Sequence, residues 1–125
     1  MGPPRTGRNQ IIVRNYRQVR PEPVVNEPGV AVRWLVSGLD HAPNFALRLY
    51  ELAPGAATTA HNHYWEHEVF VLSGTGAVIG REGEMPLAEG DIVYVPPTKQ
   101  HQFANRGKVP FRYLMVLPLP QASAG

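Results

Sequence analysis

Three histidines within seven residues constrain this chain more than any other feature. His61, His63 and His67 lie in the stretch Gly55 to Gly74, GAATTAHNHYWEHEVFVLSG, at spacings of two and four. Residues two apart on an extended strand point to the same face, so a strand here would aim all three imidazoles one way. On a helix, His61 and His63 would project roughly 200° apart and could not share a ligand. Val69, Phe70, Val71 and Leu72 are β-branched or bulky, and Gly74 and Gly76 punctuate the end, which favours the strand. In a chain without cysteine, three neutral imidazoles on one face point to a metal site. A single histidine on an apolar face is more often a hydrogen-bonded core or surface residue. Three at matched parity are much harder to assign that way.

The rest of the chain reads as short strands between turns. Twelve glycines and thirteen prolines are spread through 125 residues, enough for one domain with a hydrophobic core. Residues 1–9 are expected to form a polar tail, 10–120 a single β-barrel domain, and 121–125 a second tail. Ile11 to Val13 is a short β-prone run suited to a sheet edge. Residues 17–29 are proline-rich and extended. Strands are expected at Val30 to Ser37, Phe45 to Leu52, along the histidine stretch, and at Ala77 to Gly80. Further strands are expected at Glu84 to Ala88, Asp91 to Val95, His101 to Asn105 and Phe111 to Leu117. No helical pattern exceeds a turn or two, and turn signals recur every eight to twelve residues, which indicates a β-sandwich or barrel.

Parity gives the faces. Phe45, Leu47 and Leu49 alternate with Arg48, which reads as a half-buried strand. In the last strand, Phe111, Tyr113, Met115 and Leu117 read as the inward set, because Arg112 on the other face is a poor residue to bury alone. Tyr113 and Met115, with Phe103 near His101, are candidates to line a substrate pocket; plain barrel core is the alternative for each. Trp65 shares the histidines' parity and either caps the pocket mouth or simply packs. His41 falls in a turn-rich loop and reads as a surface residue.

Composition removes several function classes. The net charge is +2, and the basic residues are scattered apart from Arg5, Arg8, Arg14, Arg17 and Arg20 near the N-terminus. With no basic helix and no aromatic-studded basic motif, nucleic-acid binding has little support. Zero cysteines exclude disulfides and thiolate ligands. The N-terminal MGPPRTGRNQ carries no apolar signal region, and no apolar run approaches a membrane span, so a cytoplasmic protein is expected.

A second constellation lies downstream, GDIVYVPPTKQHQFAN, with His101 near its end. Together the two segments resemble the paired motifs of the cupin family. The first motif, G-x5-H-x-H-x3,4-E-x6-G, is matched by Gly55, His61, His63, His67 and Gly74, with His67 in the glutamate's place. The second, G-x5-P-x-G-x2-H-x3-N, is matched by Gly90, Pro96, Thr98, His101 and Asn105, with Thr98 in place of glycine. The resemblance implies a double-stranded β-helix, or jelly-roll barrel. HNHYWEHE further resembles a subgroup of small microbial cupins that bind manganese or a similar metal through four histidines. Carried over by position, those ligands are His61, His63, His67 and His101. A register with one more spacer would instead make Glu68 the ligand. His67 keeps the parity of His61 and His63 and the spacing to Gly74, whereas Glu68 and Glu66 point to the opposite face.

Four imidazoles would leave the full +2 of one divalent ion uncompensated, which favours an anionic substrate such as an enolate, phenolate or carboxylate. The resemblance puts manganese first, with iron, copper, nickel, cobalt and zinc as alternatives that imidazole also suits. The leading expectation is a dioxygenase-like oxidoreductase acting on a small organic substrate. The rival is a non-catalytic binding or sensing module with a structural metal. A weaker third option uses the metal as a Lewis acid for isomerisation or decarboxylation, for which Glu51, Glu66, Glu68 and the tyrosines are the available acid–base groups. The Ile11–Val13 run suggests a homodimer in which this edge pairs with a partner's sheet.

Overall fold

A computed structural model describes residues 10–119. The expected tails at 1–9 and 121–125 lie outside the described residues. Nine strands follow in order: β1 (Glu22–Pro23), β2 (Val30–Val36), β3 (Phe45–Leu52), β4 (His67–Ser73), β5 (Gly76–Gly80), β6 (Gly83–Leu87), β7 (Ile92–Val95), β8 (His101–Asn105) and β9 (Phe111–Pro118). The helical content among the described residues is two single turns of 3-10 helix, Tyr16–Gln18 and Gly38–Asp40. No helix among them is long and apolar enough to cross a membrane.

The strands form two antiparallel sheets. One has six strands in the order β1-β2-β3-β9-β4-β7, the other three in the order β6-β5-β8. Between them lies one core, drawing Val69 and Val71 from β4, Phe111, Tyr113 and Met115 from β9, Val78 from β5 and Phe103 from β8. Alternation along β4 and β9 produces it. His67, Val69 and Val71 are buried while Glu68 and Phe70 are exposed, and Phe111, Tyr113, Met115 and Leu117 face inward as the sequence predicts. Gly74 ends β4 with φ +84, and a Cβ there would collide with the Pro110 carbonyl oxygen, so no other residue fits this corner.

Three expectations are corrected. Strand structure does not run through the histidine stretch: β4 begins only at His67. Before it, Ala56 to His61 run beside β8 of the small sheet, through bridges Ala57–Ala104 and His61–His101. The chain then crosses from the small sheet to the large one over residues 62–66. Ile11 to Val13 form no strand within the chain, and Ile11 and Val13 are 96% and 91% exposed. In β3 the inward residue is Arg48, only 3% exposed, while Phe45 is 64% exposed. Each face of FALRLYEL carries one charge, Arg48 on one and Glu51 on the other, so alternation alone could not choose between them. Tertiary pairing decides. Glu51 is registered opposite Arg112 across β3 and β9 and accepts hydrogen bonds from Arg112 (2.8 Å) and Arg33 (3.1 Å).

Candidate metal centre

The crossing between sheets brings the histidines together. His61 and His101 are backbone partners, each N–H donating to the other's carbonyl at 3.1 and 3.0 Å. His67 opens β4 on the facing sheet, and His63 lies between. The His63 carbonyl accepts a 2.6 Å hydrogen bond from the backbone N–H of Thr98, which ties the crossing loop to the loop before β8. Thr98 has φ +68, a left-handed conformation that explains why the motif it departs from has glycine there.

His61, His63 and His101 each bring one ring nitrogen within 4.8 Å of the others. His67 is beside this trio, its ring centroid 4.7 Å from His63 and 5.2 Å from His101. Trp65 stacks on the outer face of the set, 4.1 Å from the His63 ring. Glu68 is exposed on the opposite face of β4, registered with Tyr94 and Val116. His41 is exposed, in a left-handed turn after the second 3-10 segment.

Hydrogen bonding assigns the lone pairs. His101 Nδ1 lies 2.9 Å from the Lys99 carbonyl oxygen; a carbonyl only accepts, so Nδ1 carries the proton and Nε2 the lone pair. His67 Nδ1 lies 2.8 Å from the Met115 sulfur, an acceptor as well, which leaves the lone pair on Nε2. Both Nε2 atoms and the Nδ1 of His63 are buried with no protein hydrogen-bond partner. Buried nitrogens without partners are costly unless something else binds them. Burial, reinforced by the neighbouring imidazoles, lowers the pKa of His63 to about 4 and that of His67 to about 3. Burial and the charge of His101 also lower that of His61, opposed in part by Glu27 and the Thr59 backbone. Four imidazoles, two of them with tautomers fixed by hydrogen bonds, and no thiolate form a donor set that fits a divalent transition metal.

A cavity of about 300 Å³ opens against these rings. Trp65, Phe103, Tyr113 and Met115 all line it. Phe103 stacks on Tyr113 at 4.7 Å, and Tyr113 on Tyr50 at 5.3 Å. The carboxylates expected to serve acid–base chemistry are elsewhere. Glu51 is tied to its two arginines; burial pushes its carboxyl up, but the arginines outweigh this and hold it below the ordinary range. Glu66 accepts a 2.8 Å bond from the Tyr94 hydroxyl on the exposed side. Several cavity residues are not singled out by the sequence, among them Arg48, expected on the outward face of its strand, and Glu27, in a proline-rich connection that carries no signal. Glu27 Oε2 accepts from the Thr59 backbone N–H at 2.8 Å, which fixes it beside the histidine segment.

Comparison with known proteins agrees with this fold. The polyketide cyclase RemF from Streptomyces resistomycificus is 28% identical, superposes with a TM-score of 0.80, and is matched over 87% of this chain and 80% of its own. A protein from Thermotoga maritima described as a predicted oxalate decarboxylase matches over 86% of this chain and 99% of its own, with a TM-score of 0.76. At 24% identity it speaks for the fold alone. The 1-methylthio-D-xylulose 5-phosphate methylsulfurylase of Rhodospirillum rubrum is 38% identical over 58 residues, which are 46% of this chain and 36% of that protein. This chain therefore spans about a third of that relative's length. The family description "Cupin domain" matches residues 48–117, from within β3 to within β9. A match over more than half of the chain, with both histidine motifs inside it, shows that this protein belongs to the cupin family.

Proposed function

We propose that this protein is a cytoplasmic, metal-dependent oxidoreductase of the dioxygenase type, acting on a small anionic organic molecule at a four-histidine centre. The observation that supports this most is the convergence of His61, His63 and His101 within 4.8 Å at the wall of a cavity, with His67 alongside. These four residues would hold one divalent ion per chain, manganese first and iron, copper, nickel, cobalt or zinc as alternatives. When bound, the ion supplies activation of O2 or peroxide, or polarisation of an enolate or phenolate. The protein's part is positional. The Lys99 carbonyl and Met115 fix two ligand tautomers. Trp65, Phe103, Tyr113 and Met115 give the substrate's apolar body a surface and keep water from it. Glu27 is the one carboxylate lining the cavity among the described residues, so the bulk of the chemistry falls to the metal.

The test is elemental analysis of protein made without a nickel column, followed by O2 and peroxide uptake after loading with Mn(II), Fe(II) or Cu(II). The expected result is about one metal per chain and uptake with an enolate or phenolate. Metal without uptake across a broad panel would remove the oxidative reading and favour the non-catalytic sensing module. Two observations favour a second catalytic reading: Glu27 lines the cavity, held beside the histidine segment by the Thr59 N–H, and the similarity to a polyketide cyclase extends over most of this chain. In that case the ion acts as a Lewis acid, and Glu27→Gln would abolish turnover without changing metal content.

We also propose that two copies pair. The support is an extended stretch exposing Ile11 and Val13, tethered next door by Arg14, which bonds the Leu35 carbonyl and Asp40. Exposed apolar residues on a short extended segment are suited to adding to a partner's sheet. Light scattering should give a dimer, and Ile11→Asp with Val13→Asp a monomer. A stable wild-type monomer would contradict the pairing.

A further inference from the structure

Sulfur in this chain is confined to methionine. The sequence has no cysteine and three methionines, of which Met85 and Met115 fall among the described residues. They sit in opposite settings. Met85, on β6 of the small sheet, is 61% exposed. Met115, on β9 of the large sheet, is 5% exposed and lines the histidine cavity. Its Sδ lies 2.8 Å from Nδ1 of His67 and accepts that proton with one lone pair. A thioether keeps a second lone pair, and that pair is the nucleophile toward a peroxide. The cavity of about 300 Å³ has room for a molecule as small as hydrogen peroxide and meets solvent beside His61, which is exposed.

We propose that Met115 is a modification site, oxidised to the sulfoxide by hydrogen peroxide that enters the cavity, and that this oxidation loosens His67 from the metal. This rests on the metal-centre reading above but not on dioxygenase activity. Peroxide alone balances the step. The sulfur lone pair attacks one peroxide oxygen, and the S–O bond forms as the O–O bond breaks. The hydroxide released takes the proton left on the transferred oxygen and leaves as water. Sulfur gives up two electrons and peroxide receives them. At 2.8 Å the sulfur and Nδ1 are already in contact, so no oxygen fits between them unless a side chain moves. The sulfoxide oxygen is polar and a stronger acceptor than the sulfur, so it claims the Nδ1 proton. The backbone at His67 is held by pairing with Val95, and Val69 beyond it is packed in the core. The imidazole is therefore what turns, and it carries Nε2 away from the other three histidines. Met115 is a positioning residue, and its oxidation state sets how well His67 is aimed.

Peptide mass mapping after hydrogen peroxide treatment, followed by zinc titration against a chromogenic chelator, tests this. At a dose that oxidises Met85 completely, Met115 should also gain one oxygen. In Met85→Leu, which removes the exposed sulfur and leaves the cavity intact, oxidation should weaken zinc binding about tenfold or more, the scale on which a ligand-orienting contact acts. Met115→Leu should bind zinc more weakly than wild type from the start and lose nothing further to peroxide. Met115 left unmodified at that dose would overturn the proposal. So would a modified Met115 with zinc affinity unchanged, or an equal peroxide-dependent loss in Met115→Leu. A protein that binds no zinc before any oxidation would overturn the metal-centre reading, and the role of Met115 with it.

Discussion

The two ends of β8 carry two buried polar residues of the same motif, and they are treated in opposite ways. Asn105 is 2% exposed and fully satisfied. Its Nδ2 donates to the Leu52 and Val109 carbonyls, both at 2.8 Å, and its Oδ1 accepts from the Gly107 N–H at 2.7 Å. It stitches β3, β8 and the turn before β9. His101 is 4% exposed, yet its Nε2 meets nothing from the protein. A buried polar group whose bonds all close within the chain is structural. One that keeps a lone pair open toward a cavity, with its other nitrogen fixed, is prepared for a ligand.

The comparison breaks most sharply at Asn105. Asn105→Ala would orphan the buried Leu52 carbonyl and take their partner from the Val109 carbonyl and the Gly107 N–H, and a loss of about 3 kcal/mol in denaturant unfolding is expected. The folded fraction should still bind metal. At the other end, His101→Ala should weaken metal binding by more than about a hundredfold, while the metal-free protein changes by no more than roughly 1 kcal/mol. Equal stability losses from the two substitutions would abolish the distinction.

The pH response sharpens it further. Burial first, and then the neighbouring imidazoles, lower His63 to about 4 and His67 to about 3 in the folded protein. An unfolded histidine titrates near 6.5, so between the two values the unfolded chain binds the extra protons. Stability of the metal-free protein is therefore full above about pH 6.5 and declines as pH falls toward 4. Thermal melts from pH 7.5 to 4.5 should show this, and His67→Leu should flatten the decline. The smallest effect is expected in the loop that ties the two motifs. Thr98→Gly should stabilise by up to about 1 kcal/mol in denaturant midpoints, by relieving a β-branched residue held at positive φ.

Much of the fold was legible because turn residues and period-two alternation are local. β2, β5, β7, β8 and β9 lie within a residue or so of where the sequence places them, and the inward set of β9 follows from alternation around Arg112. The four histidines were legible from spacing and from resemblance to the two motifs, and the chain does bring their rings to one cavity. The route was not. Parity implied one strand, whereas the chain leaves the small sheet at His61 and joins the large one at His67, a crossing that depends on hydrogen bonds to β8 and to Thr98 far along the sequence.

What the sequence determined by itself was the set of residue types and their local rhythm: short strands, turns at glycine and proline, and imidazoles in place of thiolates. Tertiary structure decided which charge of β3 faces inward, because Glu51 finds two arginines on the outer face and leaves Arg48 to the cavity. It also brought Glu27 from a proline-rich connection to the histidines. Alternation is blind to both outcomes, since each depends on partners contributed by distant strands.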